Sequence, residues 1–90
     1  MRATLIYTNE AVTQGGAALT YEYFITVDDL SIGNTLICES YGAAVRCGED
    51  GYAAVRNITT SAQQIEHMLW LFQKNLVSPE TLYDIVVDLI

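Results

Sequence analysis

Hydrophobic and polar positions along this chain change their period once, near Thr60, and that change separates strands from helices. Before it, Leu19, Tyr21, Tyr23, Ile25 and Val27 alternate with Thr20, Glu22, Phe24 and Thr26. That is the period of a long strand with one mostly apolar face. Residues 2–8 (RATLIYT) are rich in β-formers and predict a first strand. Residues 9–18 hold Gly15-Gly16 and little periodicity, so they are expected to form a loop, the most mobile segment of the chain. Asp28-Asp29 through Gly33-Asn34 predicts a turn-rich connection closing the second strand.

The next strand, residues 35–47, has conflicting parity. Tyr41, Ala43 and Val45 form one apolar set, yet strict alternation puts Glu39 on their face. A β-bulge between Ser40 and Gly42 would keep Glu39 outside. Gly48-Glu49-Asp50-Gly51 predicts a three-residue hairpin loop, a type I turn closed by a left-handed glycine. In that register Val45 faces Val55, Cys47 faces Ala53 and Ala44 faces Arg56. Val45 and Val55 then point to the core, and Arg46 and Arg56 share the other face. The near-copies AAVR at 43–46 and 53–56 are hairpin pseudo-symmetry, since no third copy exists.

After Thr60 the period becomes 3.6. Thr60 with Gln63, or Ser61 with Gln64, offers a capping box. Ile65, Met68, Leu69, Phe72 and Leu76 fall on one stripe. Lys74 suits the last turn and Asn75 the left-handed capping position. Ser78-Pro79-Glu80 supplies an N-cap hydroxyl, a first-turn proline and an acid for a second helix. Its core stripe is Leu82, Ile85, Val86 and Leu89, with Glu80, Asp84 and Asp88 aligned on the solvent side. Strands first and helices after predict an α+β fold: a four-stranded antiparallel meander sheet followed by two C-terminal helices packed on one face. Residues 1–90 are expected to form one domain, because two cores in 90 residues would each be too small.

Composition narrows the function classes. Eleven acids against four basic residues give a net charge of −7, which disfavours nucleic acid and anionic membrane surfaces as partners. No stretch approaches the roughly 20 apolar residues of a membrane span. The N-terminus has no signal-peptide core and runs straight into a strand pattern. A cytoplasmic protein with reduced cysteines is expected. At 51% hydrophobic residues the chain has apolar side chains to spare for a contact surface.

Candidate chemistry is sparse. His67 is the only histidine and lies off the core stripe, without a nucleophile or orienting carboxylate. No second His or Cys stands at metal-ligand spacing from it. Cys38 and Cys47 lie about 30 Å apart on a continuous strand at ~3.3 Å per residue, so two free thiols are expected. A chain reversal at Gly42-Ala43 would instead bring them together. Asp28-Asp29 and Glu49-Asp50 are turn acids without calcium-loop spacing. Gly15-Gly16 lacks the context of a phosphate loop. No catalytic, cofactor or metal residues are therefore assigned. Two surfaces stand out. On the first helix His67, Trp70, Leu71 and Lys74 lie together opposite the core stripe, and Trp is enriched at binding hot spots. On the outer sheet face Arg46, Arg56, Glu22 and Phe24 can cluster, with cross-strand salt bridging the simpler reading.

From Tyr41 onward the runs YGAAVR, VRNITTSAQQIEHML and NLVSPETLYDIVVDLI carry a resemblance. The matching residues are Ser40-Tyr41-Gly42, Asn57-Ile58-Thr59-Thr60 and Leu76-Val77-Ser78-Pro79-Glu80-Thr81-Leu82-Tyr83-Asp84-Ile85-Val86. They resemble a domain-of-unknown-function family of short uncharacterised proteins from clostridia-like Firmicutes. The C-terminal half is covered clearly and the Tyr21–Val27 strand loosely, while residues 1–18 do not contribute. The resemblance implies a bacterial cytoplasmic protein and brings no activity with it.

Three functional readings follow. The leading one is a non-enzymatic protein–protein interaction module or homodimer, using His67, Trp70, Leu71 and Lys74. The second is an acidic inhibitor or nucleic-acid mimic that occupies a basic protein cleft through Glu80, Asp84 and Asp88. The third is a small-ligand pocket or enzyme built on Tyr23, Tyr41 or Tyr83.

Overall fold

In the computed structural model, which describes residues 1–33, 36–49 and 51–90, six elements follow one another. They are β1 (Arg2–Val12), β2 (Ala18–Ile32), β3 (Leu36–Cys47), β4 (Gly51–Thr59), α1 (Ala62–Lys74) and α2 (Leu82–Leu89). The strands pair antiparallel in the order β1-β2-β3-β4, and the helices cover one face. This is the expected α+β meander with two C-terminal helices.

The strands are longer than periodicity indicated. Residues 9–12, expected in a loop, pair with residues 18–21, and the loop shrinks to residues 13–17. Thr13 holds it closed: its N–H donates to Ala17 O at 2.9 Å and its carbonyl accepts from Gly16 N–H at 2.9 Å, with Gly16 at φ +84. Likewise Asp28–Ile32 continue β2 opposite Leu36–Ser40, where a turn was expected. Asn34 and Thr35 of that connection lie outside the described residues. The β1–β2 and β2–β3 hairpins thus outrun their neighbouring strands at opposite ends of the sheet, and the molecule extends 55 × 24 × 18 Å.

The core is one layer between sheet and helices. Tyr23, Ala43 and Val45 meet Ile65, Met68, Leu69 and Phe72 of α1, Val77 of the link, and Leu82 and Val86 of α2. Burying each large aliphatic or aromatic side chain stabilises by about 1.5–3 kcal/mol. Tyr23 also donates its hydroxyl to Val77 O at 2.9 Å, tying the interhelical link to the sheet. Asn9 adds a second tie, donating to Gln73 O at 2.7 Å and Gln73 Oε1 at 2.8 Å.

Two irregularities decide which side chains face the helices. On β1 the register shifts between Leu5 and Tyr7, so Tyr7 and Asn9, rather than even-numbered residues, face inward opposite Tyr23 and Tyr21. No sequence signal marked this bulge. The second falls where a bulge was expected, between Tyr41 and Ala43, but its extra residues are in β4. β3 stays regular against β2, while Tyr41 pairs with Thr59 and Ala43 with Val55. Asn57 absorbs the excursion at φ +57, a region Asn tolerates better than most residues. Glu39 therefore keeps the face of Tyr41 and accepts its hydroxyl at 3.2 Å, beyond the helical layer where the face is open to solvent.

The β3–β4 register differs by two residues from the expected one. Val45 pairs with Ala53, Ala44 with Ala54 and Cys47 with Gly51. An even shift preserves every face, so Val45 and Val55 still point inward. In the turn Gly48 takes the left-handed conformation (φ +69), and Asp50 lies outside the described residues.

Helix ends also differ in detail. Ser61 caps α1, its hydroxyl accepting from Gln64 N–H at 3.2 Å. The reciprocal half of the box is indirect, since Gln64 Oε1 accepts from the Thr59 hydroxyl, which in turn accepts from Ser61 N–H. At the other end Asn75 is not left-handed (φ −99), and its side chain donates to Leu71 O at 2.8 Å. Leu76 takes the left-handed position at φ +49, and Leu76 and Val77 N–H reach back to Gln73 and Phe72 carbonyls. This is a Schellman close built on a leucine. It turns Leu76 out to 40% exposure and puts Val77 in the core position assigned to it. α2 starts at Leu82 with Thr81 as N-cap, so Ser78 does not cap it. Ser78 instead opens a hydrogen-bonded turn whose carbonyl accepts from Thr81 N–H at 3.2 Å. Glu80 consequently lies before the helix, and the Glu80, Asp84, Asp88 ladder keeps only its last two rungs on α2.

Candidate functional site

Of the four side chains expected to form a contact patch, three touch one another. His67 stacks on Trp70 at 6.1 Å between centroids and 17° between planes, and Lys74 Nζ stands 4.8 Å from the Trp70 ring centre. Trp70 is 41% exposed, its indole flanked by both neighbours on the solvent side of α1. Leu71 does not join this row. It is half-buried and forms one wall of an open groove between the end of α1 and α2.

That groove has a volume of about 210 Å³ and is lined by Leu71, Phe72, Asn75, Val77, Ile85 and Leu89. Its lining was only partly legible in the pattern. Ile85 and Leu89 were assigned to the core, but Ile85 is half-buried and Leu89 exposed. The signal lay in composition: LYDIVVDL is an eight-residue helix whose apolar arc, running from Ile85 and Leu89 past Leu82 and Val86 to Tyr83 and Val87, is wider than one buried face, with only Asp84 and Asp88 off it. Asn75 is the sole polar side chain in the lining, and its amide is engaged with Leu71 O.

The side-chain ion pairs among the described residues all lie in the sheet. Arg2 pairs with Asp29 and Glu39, Arg46 with Glu22, and Arg56 with Asp28, all within the sheet. Among the described residues no ion pair involves Glu66, Glu80, Asp84 or Asp88. From residue 60 onward these four carboxylates meet one ammonium, Lys74, a net −3 with His67 neutral.

The outer sheet face carries the expected cross-strand salt bridging. Arg46 Nε donates to Glu22 at 2.8 Å while its guanidinium lies 5.5 Å from the Phe24 ring centre. Arg56 turns instead to a bidentate contact with Asp28. That hydrogen bonding, ahead of the opposing desolvation, holds the Asp28 carboxyl below its ordinary range. At the bulge the β4 backbone rides over Gly42, and beneath it the buried Thr26 hydroxyl has no hydrogen-bond partner.

The tyrosines do not share a pocket. Tyr23 is fully buried with its hydroxyl committed to Val77, burial pushing its pKa up to about 12. Tyr41 contacts Glu39, and Tyr83 is exposed. Cys38 and Cys47 are both free thiols on β3. Among the described residues no three His, Cys, Asp or Glu side chains gather as metal ligands. No helix there is long and apolar enough to cross a membrane.

Comparison with known proteins gives one result, from family models; neither the curated proteins nor the solved structures contain a match. The matching model extends the resemblance of the C-terminal half to residues 2–90, including the β1–β2 hairpin. The chain belongs to DUF6514, a family of unknown function.

Proposed function

We propose that this protein is a small cytoplasmic protein–protein interaction module without catalytic activity, and that its contact surface is the helical layer around the α1–α2 groove. One observation carries the reading. The groove is open and apolar, and its single polar side chain is already hydrogen-bonded. At about 210 Å³ it is smaller than the roughly 300–1,000 Å³ of pockets that enclose a small molecule. It suits instead one or two side chains of a protein partner. Leu71 belongs to this surface, and the His67, Trp70 and Lys74 row runs beside it along α1. Two unbridged thiols fit a reducing compartment.

The acidic-mimic reading draws on Asp84 and Asp88, but loses the third rung because Glu80 precedes the helix. The small-ligand reading loses its tyrosines, since Tyr23 is committed to the link and Tyr83 faces solvent.

The test is site-specific photo-crosslinking in the native host. A photoreactive phenylalanine analogue replaces Leu71 in one variant and exposed Thr20 in a control. The reading expects a discrete protein adduct from position 71, absent from position 20 and lost on adding Leu89→Asp. Equal adducts from both positions, or none from 71, would sink it.

A further inference from the structure

We infer that the groove's occupant is an amphipathic helix of another protein, with apolar side chains in the groove and Lys or Arg along its flanks. This rests on the interaction reading above and specifies the partner's chemistry. Three observations lead to it.

The first concerns backbone. Both walls are helical, and the exposed end of α1 is closed by its own cap, with Leu76 and Val77 N–H on Gln73 and Phe72 carbonyls. An extended strand would find no ladder to join there. A helix satisfies its own backbone and brings only side chains, which is what helix-in-groove recognition uses.

The second is length. α2 has eight residues, about 12 Å at ~1.5 Å per residue. It therefore faces roughly two turns of a partner helix, enough for anchors at i, i+3, i+4 and i+7. One or two of those anchors fill the apolar groove walled by Leu71, Ile85 and Leu89.

The third is charge. All three arginines are paired within the sheet, whereas the helical layer keeps Asp84 and Asp88, on the same helix as the lining residues Ile85 and Leu89, without ion-pair partners among the described residues. Lys74, its one ammonium, sits over the Trp70 face. A basic flank meets complementary potential there, while a second copy of this chain would bring another layer of net −3 against the first.

The experiment titrates the isotope-labelled full chain by NMR with two designed helical peptides. They share a leucine pattern at i, i+3, i+4 and i+7, and differ in carrying only Lys or only Glu on the flanks. The Lys peptide should shift the Leu71, Asn75, Val77, Ile85 and Leu89 amides. At low salt it should bind at least about tenfold more tightly than the Glu peptide, and the gap should narrow at high salt. Leu71→Ala should weaken it roughly tenfold, and the double variant Asp84→Asn, Asp88→Asn should bring the two peptides together. Circular dichroism checks that each variant is folded. Equal binding of both peptides would overturn the basic flank and leave the groove as the contact site. A salt-insensitive dimer dissolved by Leu71→Asp would make the occupant a second copy, overturning the inference but not the interaction reading. No binding by either peptide, with the chain monomeric throughout, would overturn both.

Discussion

Removing one oxygen atom tests how the helical layer is held on the sheet. Tyr23 is fully buried, and its hydroxyl donates at 2.9 Å to the carbonyl of Val77, which is 4% exposed. Tyr23→Phe keeps the ring and its packing but leaves that carbonyl without this donor inside the core. An orphaned buried acceptor costs about 1–3 kcal/mol, against about 1 kcal/mol for an exposed bond whose partners water can take over. For a 90-residue domain each 1 kcal/mol lowers Tm by roughly 4–8 °C. We expect a loss near 2 kcal/mol, read from urea unfolding as a lower midpoint with unchanged slope. Burial of the same hydroxyl has a pH signature. Burial raises the folded-state pKa of Tyr23 from 10.0 to about 12, so the unfolded chain loses this proton first. The contribution is full below pH 10 and disappears as pH rises through 12. The wild type should therefore lose stability over that window, and Tyr23→Phe should lose less of it. A stability change within about 0.3 kcal/mol would refute the clamp, and an alkaline limb of unchanged steepness would refute the effect of burying the hydroxyl.

Gly42→Ala should be among the most damaging single changes. Its Cβ would overlap the Val55 carbonyl and lie 2.6 Å from Thr26 Oγ1 and 2.7 Å from Arg56 Cα, so backbone must move; we expect a loss of about 3 kcal/mol or more by thermal unfolding. Leu76→Gly should stabilise. A non-glycine residue at φ +49 carries about 1–2 kcal/mol of strain, and this leucine is 40% exposed, so calorimetry should show Tm rising by a few degrees. Acid should weaken the outer face, because the folded-state pKa of Asp28 lies below its ordinary value. Its contribution is present above that ordinary value and lost as pH falls through the depressed one. Arg56→Gln should flatten this acid limb in a urea series collected across pH.

Strand and helix identity were legible because each rests on local periodicity. Tyr21, Tyr23, Ile25 and Val27 alternate, and Ile65, Met68, Leu69 and Phe72 form a stripe that is buried as a unit. What could not be read depends on non-local partners. Alternation alone predicts a bulge to keep the Glu39 acid off the Tyr41 face, yet β2 and β3 simply outrun the helices there and the position is solvated. The extra residues near Gly42 went to β4, where Asn57 can adopt positive φ, and not to β3, whose pairing with β2 is unbroken. Ser78-Pro79-Glu80 is a strong start signal, but Ser78 and Thr81 spend their hydrogen bonds on a separate turn, and the helix begins only after it. Of the contact patch, His67, Trp70 and Lys74 were legible as helical neighbours. The groove was not, since it depends on where α2 lies against α1.

The clamp and the groove are one piece of structure. Val77 accepts the Tyr23 hydroxyl through its carbonyl, fills the core position that a longer α1 would have given Leu76, and lines the groove. The left-handed turn at Leu76 is what sends the chain from α1 down to that anchor, and α2 then starts five residues later. Local strain at Leu76 is thus offset by two buried gains, one polar and one apolar, and the open space between the helices is the geometric consequence. Relieving the strain and cutting the anchor should therefore act differently on binding. Leu76→Gly keeps the same turn with less strain, so the groove and its affinity for the Lys-flanked peptide should persist. Tyr23→Phe frees the link from the sheet, so affinity should fall together with stability. If both substitutions left affinity unchanged while shifting stability in opposite directions, the groove would be independent of its anchor, and the link would be a connection with no part in recognition.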